Sequence, residues 1–250
     1  MTTGGLPPIK SADRTVELLE LLAAIPDRRT LVELARDLSI PKSSLHGLLR
    51  TLVHRGWVET DTAGLRYGLG VRALRTGTAY LRIDRAVRRL TQVIDALHRH
   101  LDTTVQLGRL VDGQMVCLLS RDTANAPAAL RPGWPTPAHT TAMGRAVLAR
   151  AAVDDRTLTQ LLPAATTLPD DQLTALHDEL RRTRERGHAV DWAAPAPNGH
   201  CGIAVPAPAK LGPLDAIGVS IADRRLTAAR ADELVTATIA AINTGLTGRP

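Results

Sequence analysis

The sequence predicts an α+β chain in two parts: a winged helix-turn-helix, then a larger half built on an antiparallel sheet with flanking helices. Three observations predict it. Three helical stretches with apolar residues at i, i+3, i+4 and i+7 fill the first fifty-odd positions. Two alternating segments around a glycine-containing turn follow them. Beyond residue 84, strands and helices mix without the regular βαβ alternation of a parallel sheet.

The elements follow in order. Residues 1–10, "MTTGGLPPIK", are Gly/Pro-rich and read as a disordered tail with no apolar leader. Ser11 reads as the N-cap of a first helix over Ala12–Ala24, ended by Pro26 and Asp27. Leu31, Leu34, Ala35 and Leu38 mark a second, short helix, and "SIP" breaks the chain. Pro41 suits the first position of a third helix, Pro41–His54, because its missing N–H has no partner there anyway. Leu45, Leu48, Leu49, Leu52 and Val53 fall on one side of that helix; Lys42, Ser43, Ser44, His46, Gly47 and Arg50 fall mainly on the other.

A leucine-backed helix with a short, polar, cationic start matches a recognition helix, whose N-terminal residues meet base edges in the major groove. Lys42 and Arg50 suit phosphate or guanine, and Ser43, Ser44 and His46 supply hydrogen-bonding groups. Gly56 closes the helix, and "WVET" and "LRYGLG" around "DTAG" form the wing, with Arg66 placed to meet the DNA backbone or minor groove. Charge agrees: Pro41–Arg82 holds seven Lys or Arg against two Asp or Glu, in a chain of net charge +6.

Val71–Arg82 reads as a connecting helix and Arg85–Leu101 as an amphipathic one. "TTVQLGRL" and "QMVCLLS" alternate around Asp112-Gly113, a strong hairpin signal. Ala142–Ala152, the stretch "PDDQLTALHDELRRTRER" before Gly187, and Thr227–Leu246 read as helices; "HAVDW", "CGIAVPA" and "AIGVSIA" read as strands. Hydrophobic residues are 44 % but aromatics only 2 %, with no Phe, so the core must be aliphatic. Two cysteines, Cys117 and Cys201, make no disulfide framework. No apolar run approaches the ~20 residues of a membrane span, so a cytoplasmic protein is expected.

These motifs resemble a known family. "SADRTVELLELLAA", "LVELARDLSIPKSSLHGLLRTLVHRGWVE" and "YGLGVRAL" are similar to the N-terminal domain of IclR-type transcriptional regulators. "PAHTTAMGRAVLA", "LRRTRERGHAVD" and "HCGIAVPA" resemble that family's C-terminal domain, in the same order. The resemblance implies a tail at 1–10, a winged helix-turn-helix at 11–70, a linker helix at 71–83 and a GAF-like effector-binding domain at 84–250. It implies double-stranded operator DNA and a small organic acid or related metabolite as partners, homodimers or homotetramers, repression or activation, and no cofactor or metal.

By the same resemblance, the effector site lies where "AHTTAMG" enters its helix, beside the late strands. Thr141, Ala142, Met143, Asp191, Cys201 and Ser220 are its expected lining. Free N–H groups at that helix start suit a carboxylate. The sequence departs from the family at Arg145 for lysine, Gly218 for serine, and "WAAPAPNGH" for an acidic segment, which points to a more apolar pocket. Trp134 and Trp192 offer stacking surface, though ordinary packing is the expected role.

Three rival readings compete with this one. A Cys-dependent hydrolase would combine Cys201, His200 or His139, and Asp191, but His200 and Cys201 point to opposite faces of a strand, and no G-x-S-x-G is present. A metal site would draw on His98–His100, His139, His177 and Cys201, but the two histidines of "HRH" do not face one another on a helix. A stand-alone small-molecule-binding module would leave the basic recognition segment unexplained.

Overall fold

The structure, a computed structural model, describes residues 9–123, 132–151, 154–162, 168–192, 201–222 and 225–247. The chain divides into two units, Met1–Tyr80 and Leu81–Pro250, with the division inside one helix. The tail expected at 1–10 lies mostly outside the described residues.

In the first unit, α1 (Lys10–Ala24), α2 (Leu31–Asp37) and α3 (Lys42–His54) pack around Leu18, Leu22, Leu34, Leu45, Leu49 and Val58. A short sheet in the order β1 (Arg29–Thr30), β3 (Arg66–Leu69), β2 (Val58–Thr60) completes it. Thr30 caps α2 in a reciprocal box with Glu33: the Glu33 N–H donates to the Thr30 hydroxyl at 3.3 Å, and the Thr30 N–H donates to the Glu33 carboxylate at 2.7 Å.

The break between α2 and α3 has a local cause. Ser39 takes φ 53°, its N–H reaching Arg36 O at 3.2 Å, while the Ile40 N–H reaches Ala35 O at 3.1 Å. This is a Schellman stop, and it drops Ile40 into the core. Gly56 repeats the device after α3 at φ 71°. The wing turns through Asp61, whose carboxylate accepts the Leu65 and Arg66 N–H groups at 2.8 and 3.1 Å.

Two expectations are corrected. Ser11 is not the cap of α1: the helix starts at Lys10 behind Ile9, and the Ser11 carbonyl already accepts from Thr15 Oγ1. Pro41 precedes the third helix as its N-cap, with ψ 135° outside the helical range.

The helix α4 (Val71–Ile83) crosses the division between the units. In the second unit, β4 (Thr104–Val111), β5 (Gln114–Arg121), β6 (Pro135–Pro137), β7 (Ala189–Asp191), β8 (Cys201–Pro206) and β9 (Asp215–Ile221) form one antiparallel sheet, order β6-β5-β4-β9-β8-β7. Alternate residues feed two cores. Leu107, Ile203 and Ile217 meet α5 (Arg85–Leu101) and α9 (Ala228–Thr247). Met115, Ala204 and Ala216 meet α6 (Ala142–Ala151) and α8 (Asp170–Arg186) on the other face. The helix α7 (Asp155–Leu161), strands β1 and β6 and the 3-10 turn Ala138–Thr140 carry no periodic signal long enough to read in the sequence. Among the described residues no helix is long and apolar enough to cross a membrane.

Candidate DNA-binding surface and effector site

α3 is held by its leucines. Leu45 and Leu49 are fully buried and Leu52 nearly so, against α1 and α2. The opposite side stays open: Lys42, Ser43, Ser44, His46 and Arg50 are all exposed. Nothing lies within 4 Å of where a Gly47 side chain would begin, so the backbone there is open to close approach. Arg66 is exposed at the turn end of the wing, paired through its backbone with Thr30, and its Nη1 donates to Arg28 O at 3.2 Å. With Asp27, Arg28 and Arg29 it lines an open cleft of about 350 Å³. Arg28 and Arg29 were not singled out by sequence reasoning; the doublet just ahead of α2 was the available signal.

The second site forms where α6 begins. Thr141 Oγ1 accepts the Gly144 N–H at 3.0 Å, and Asp191 Oδ2 accepts the Ala142 N–H at 3.2 Å. The other Asp191 oxygen pairs with Arg145, which also donates to His139 O at 3.3 Å and Val190 O at 3.4 Å. The expectation of free N–H groups here is therefore corrected: two of the first three amides of α6 already donate to this chain's own oxygens. His139 stands nearby with its pKa lowered by burial and by the charge of Arg145.

Met143 lies over the sheet between two glycines. A side chain at Gly108 would come within 3.1 Å of Met143 Sδ and 2.9 Å of Met115 Cε; one at Gly218 would come within 2.9 Å of Met143 Cγ. Gly218, where the family resemblance expects serine, is thus the seat of a methionine.

The strands then sort the expected residues. Thr141, Ala142, Met143 and Asp191 come together at the start of α6. Ser220 shares the face of Asp191, in the row Asp191, Gly202, Ser220, Thr104 across four strands. Cys201 does not join them. It belongs to the core of the opposite face with Ile203 and Val205 and is 1 % exposed, so its place as a lining residue is corrected. His200 lies outside the described residues, and Cys201 and Asp191 face opposite sides of the sheet. Trp134 and Trp192 are about half exposed, not packed as expected.

The same face carries groups the sequence reasoning missed. Thr104 and Gln106 are buried; the Gln106 amide donates to Ser120 Oγ at 3.3 Å, and Ser120 in turn donates to Asp122 at 2.8 Å. The Thr104 hydroxyl is buried without a hydrogen-bond partner among the described residues. Strand alternation through "TVQLG" held this signal, since it puts residues 104, 106 and 108 on one face.

Comparison with known proteins follows the same division. Residues 11–62 match the IclR helix-turn-helix domain, and residues 79–244 match the domain described as bacterial transcriptional regulator IclR C-terminal. The chain is 32 % identical over 228 residues to the glycerol operon regulatory protein of Streptomyces coelicolor, covering 87 % of each. It is 31 % identical over 203 residues to the HTH-type transcriptional regulator BhcR of Paracoccus denitrificans, covering 79 % of this chain and 72 % of that one. The crystal structure of an IclR family transcriptional regulator from Brucella abortus superposes with a TM-score of 0.79 at 20 % identity, covering 97 % and 94 % of the chains.

Proposed function

The chain belongs to the IclR family of ligand-responsive, DNA-binding transcriptional regulators, and from that premise we propose which of its residues do the work. The α3 side chains Lys42, Ser43, Ser44, His46 and Arg50 read the operator, and Arg66 contacts the flanking backbone. The single observation that carries this is a helix whose Leu45, Leu49 and Leu52 are buried and whose cationic, hydroxyl-bearing side is left wholly exposed.

The effector site spans Thr141, Ala142, Met143, Asp191 and Ser220, and Gln106 and Thr104 join it. Its ligand is a small oxygenated metabolite, an organic acid or related compound. The row of neutral polar groups beside Asp191 supports this, as does the name of the glycerol operon relative. A ligand bearing a carboxylate must displace Asp191 from α6; one bearing hydroxyls donates to it. Regulators of this kind act as dimers, and α4, which buries none of its own residues within the chain, supports that assembly here. The 71–83 linker and the cytoplasmic location belong to the same reading. No observation favours the hydrolase.

Selecting bound duplexes from a random library, then screening hydroxy acids, polyols and aromatic acids for release of the selected duplex, tests the reading. Recovery of a palindromic site and release by one compound class, lost in Asp191→Ala, supports it; failure to enrich any sequence contradicts it. A reporter carrying the site gives the sign of regulation.

A further inference from the structure

The cleft beside the wing gathers three guanidinium groups, from Arg28, Arg29 and Arg66, around one open space of about 350 Å³. The acids facing this cluster are Glu33, Glu59, Asp61 and Asp27, and the first three also accept backbone N–H groups, Asp61 those of Leu65 and Arg66 at 2.8 and 3.1 Å. Glu33 accepts both the Thr30 N–H and the Thr30 hydroxyl, at 2.7 and 2.9 Å, and sits 3.8 Å from Arg29. Glu59 accepts the Val71 N–H at 3.2 Å and meets Arg28 only at 3.9 Å. Among the described residues, Asp27 is the acid that lines the cleft itself. The Arg29 Nε is buried with no hydrogen-bond partner among the described residues, a donor left over in the wall of a polar cleft.

The cluster is also held in place. Arg66 is tethered by Nη1 to Arg28 O. The stem of Arg28 lies across β3 at Gly68, where a Cβ would come to 3.0 Å from Arg28 Cγ. Gly68 has no need of positive φ; its missing side chain is what lets Arg28 lie flat.

We propose that Arg28, Arg29 and Arg66 form a clamp for one backbone phosphate of bound DNA, with Gly68 positioning Arg28. This rests on the DNA-binding reading and adds a contact outside α3. A phosphodiester brings one negative charge and two free oxygens to a site with donors to spare, and planar guanidinium forks suit it.

The test needs no operator. Binding of the full-length protein to a non-specific 20-base-pair duplex is measured from 50 to 300 mM salt, for wild type, Arg28→Gln, Gly68→Ala and the double variant. Each lost phosphate contact lowers the slope of log K against log[salt] by about 0.9. Arg28→Gln lowers the slope by up to that amount, because Arg29 and Arg66 still face the same phosphate. Gly68→Ala, which changes no charge, shifts the slope the same way, and the double variant equals Arg28→Gln alone because both act through one side chain. Circular dichroism and melting confirm that each variant folds.

Unchanged slopes in both single variants, with wild type binding normally, overturn the clamp. A drop in Arg28→Gln with none in Gly68→Ala overturns the positioning by Gly68 and leaves only diffuse attraction. Wild type that binds no duplex at all overturns the DNA-binding reading itself. A separate arm adds inorganic phosphate: a rise in the wild-type melting temperature, with DNA slopes insensitive to Arg28, assigns the cleft to a free anion and overturns the proposal.

Discussion

Asp191 at the end of β7 accepts the Ala142 N–H at the start of α6 at 3.2 Å, while its second oxygen pairs with Arg145. The chain thus carries its own anion at the helix end where an effector carboxylate was expected, and a helix N-terminus favours negative charge. At the proposed effector site, a ligand must work against or through this pair.

Asp191→Ala removes that cap and leaves Arg145, whose side chain is 13 % exposed, without its carboxylate. The expected cost is about 1–3 kcal/mol. Asp191→Asn keeps the acceptor and costs less than Ala. Urea midpoints decide; an unchanged midpoint in Asp191→Ala means the contact carries no weight.

Arg109 ties α5 to the sheet. Its Nε meets Asp215 Oδ1 at 2.6 Å and its Nη1 meets Asp84 Oδ2 at 2.6 Å, and the Asp84 Oδ1 caps α5 through the Val87 N–H at 3.0 Å. Asp215 is fully buried. Arg109→Met strands that carboxylate and is expected to cost about 3–5 kcal/mol. Pairing it with Asp215→Asn recovers part of the loss. A double-mutant cycle in denaturant checks this: strict additivity contradicts the coupling.

Acid should strike the first unit through its caps. Hydrogen bonds from the Thr30 backbone and side chain hold Glu33 below its ordinary 4.5, and those from the Arg66 and Leu65 backbone hold Asp61 below 3.8. A carboxylate with a depressed folded pKa binds protons more readily when unfolded. Its stabilisation is complete above the ordinary value and is lost as pH falls through the folded one. Melting temperature should therefore fall below about pH 4.5, and less steeply in Thr30→Val, which releases Glu33 from one of these bonds. An identical acid slope in Thr30→Val removes Glu33 from the account.

Neither thiol should react in the native protein. Burial pushes Cys117 up to about 12, and Cys201 is 1 % exposed. A thiol-exchange reagent at pH 8 should label neither until denaturant is added, and both afterwards. Rapid native labelling of Cys201 would return it to the effector site and reopen the hydrolase reading.

The recognition helix was legible in the sequence because its period is long and its apolar side unbroken: Leu45, Leu49 and Leu52 are the buried residues and Lys42, Ser43, Ser44, His46 and Arg50 the exposed ones. The Asp112-Gly113 turn was equally plain, with φ 47° and 74° where L-residues seldom go. Cys201 was misplaced because it was carried over by resemblance, while strand parity, visible in "CGIAV", sets it with Ile203 and Val205. The Asp191–Ala142 contact joins residues 49 apart in sequence and leaves no local pattern. Ser39 in the left-handed region was likewise hidden, since glycine is the residue that announces such a stop.

The most direct test of the account is the affinity of the selected operator duplex for wild type and for Lys42→Ala/Arg50→Ala, with folding checked by melting. The account predicts that the double variant keeps its melting temperature, because both side chains are exposed, and loses operator binding by at least tenfold with a shallower salt dependence. Operator affinity equal to wild type would contradict it, for the exposed side of α3 would then not be the surface that meets DNA.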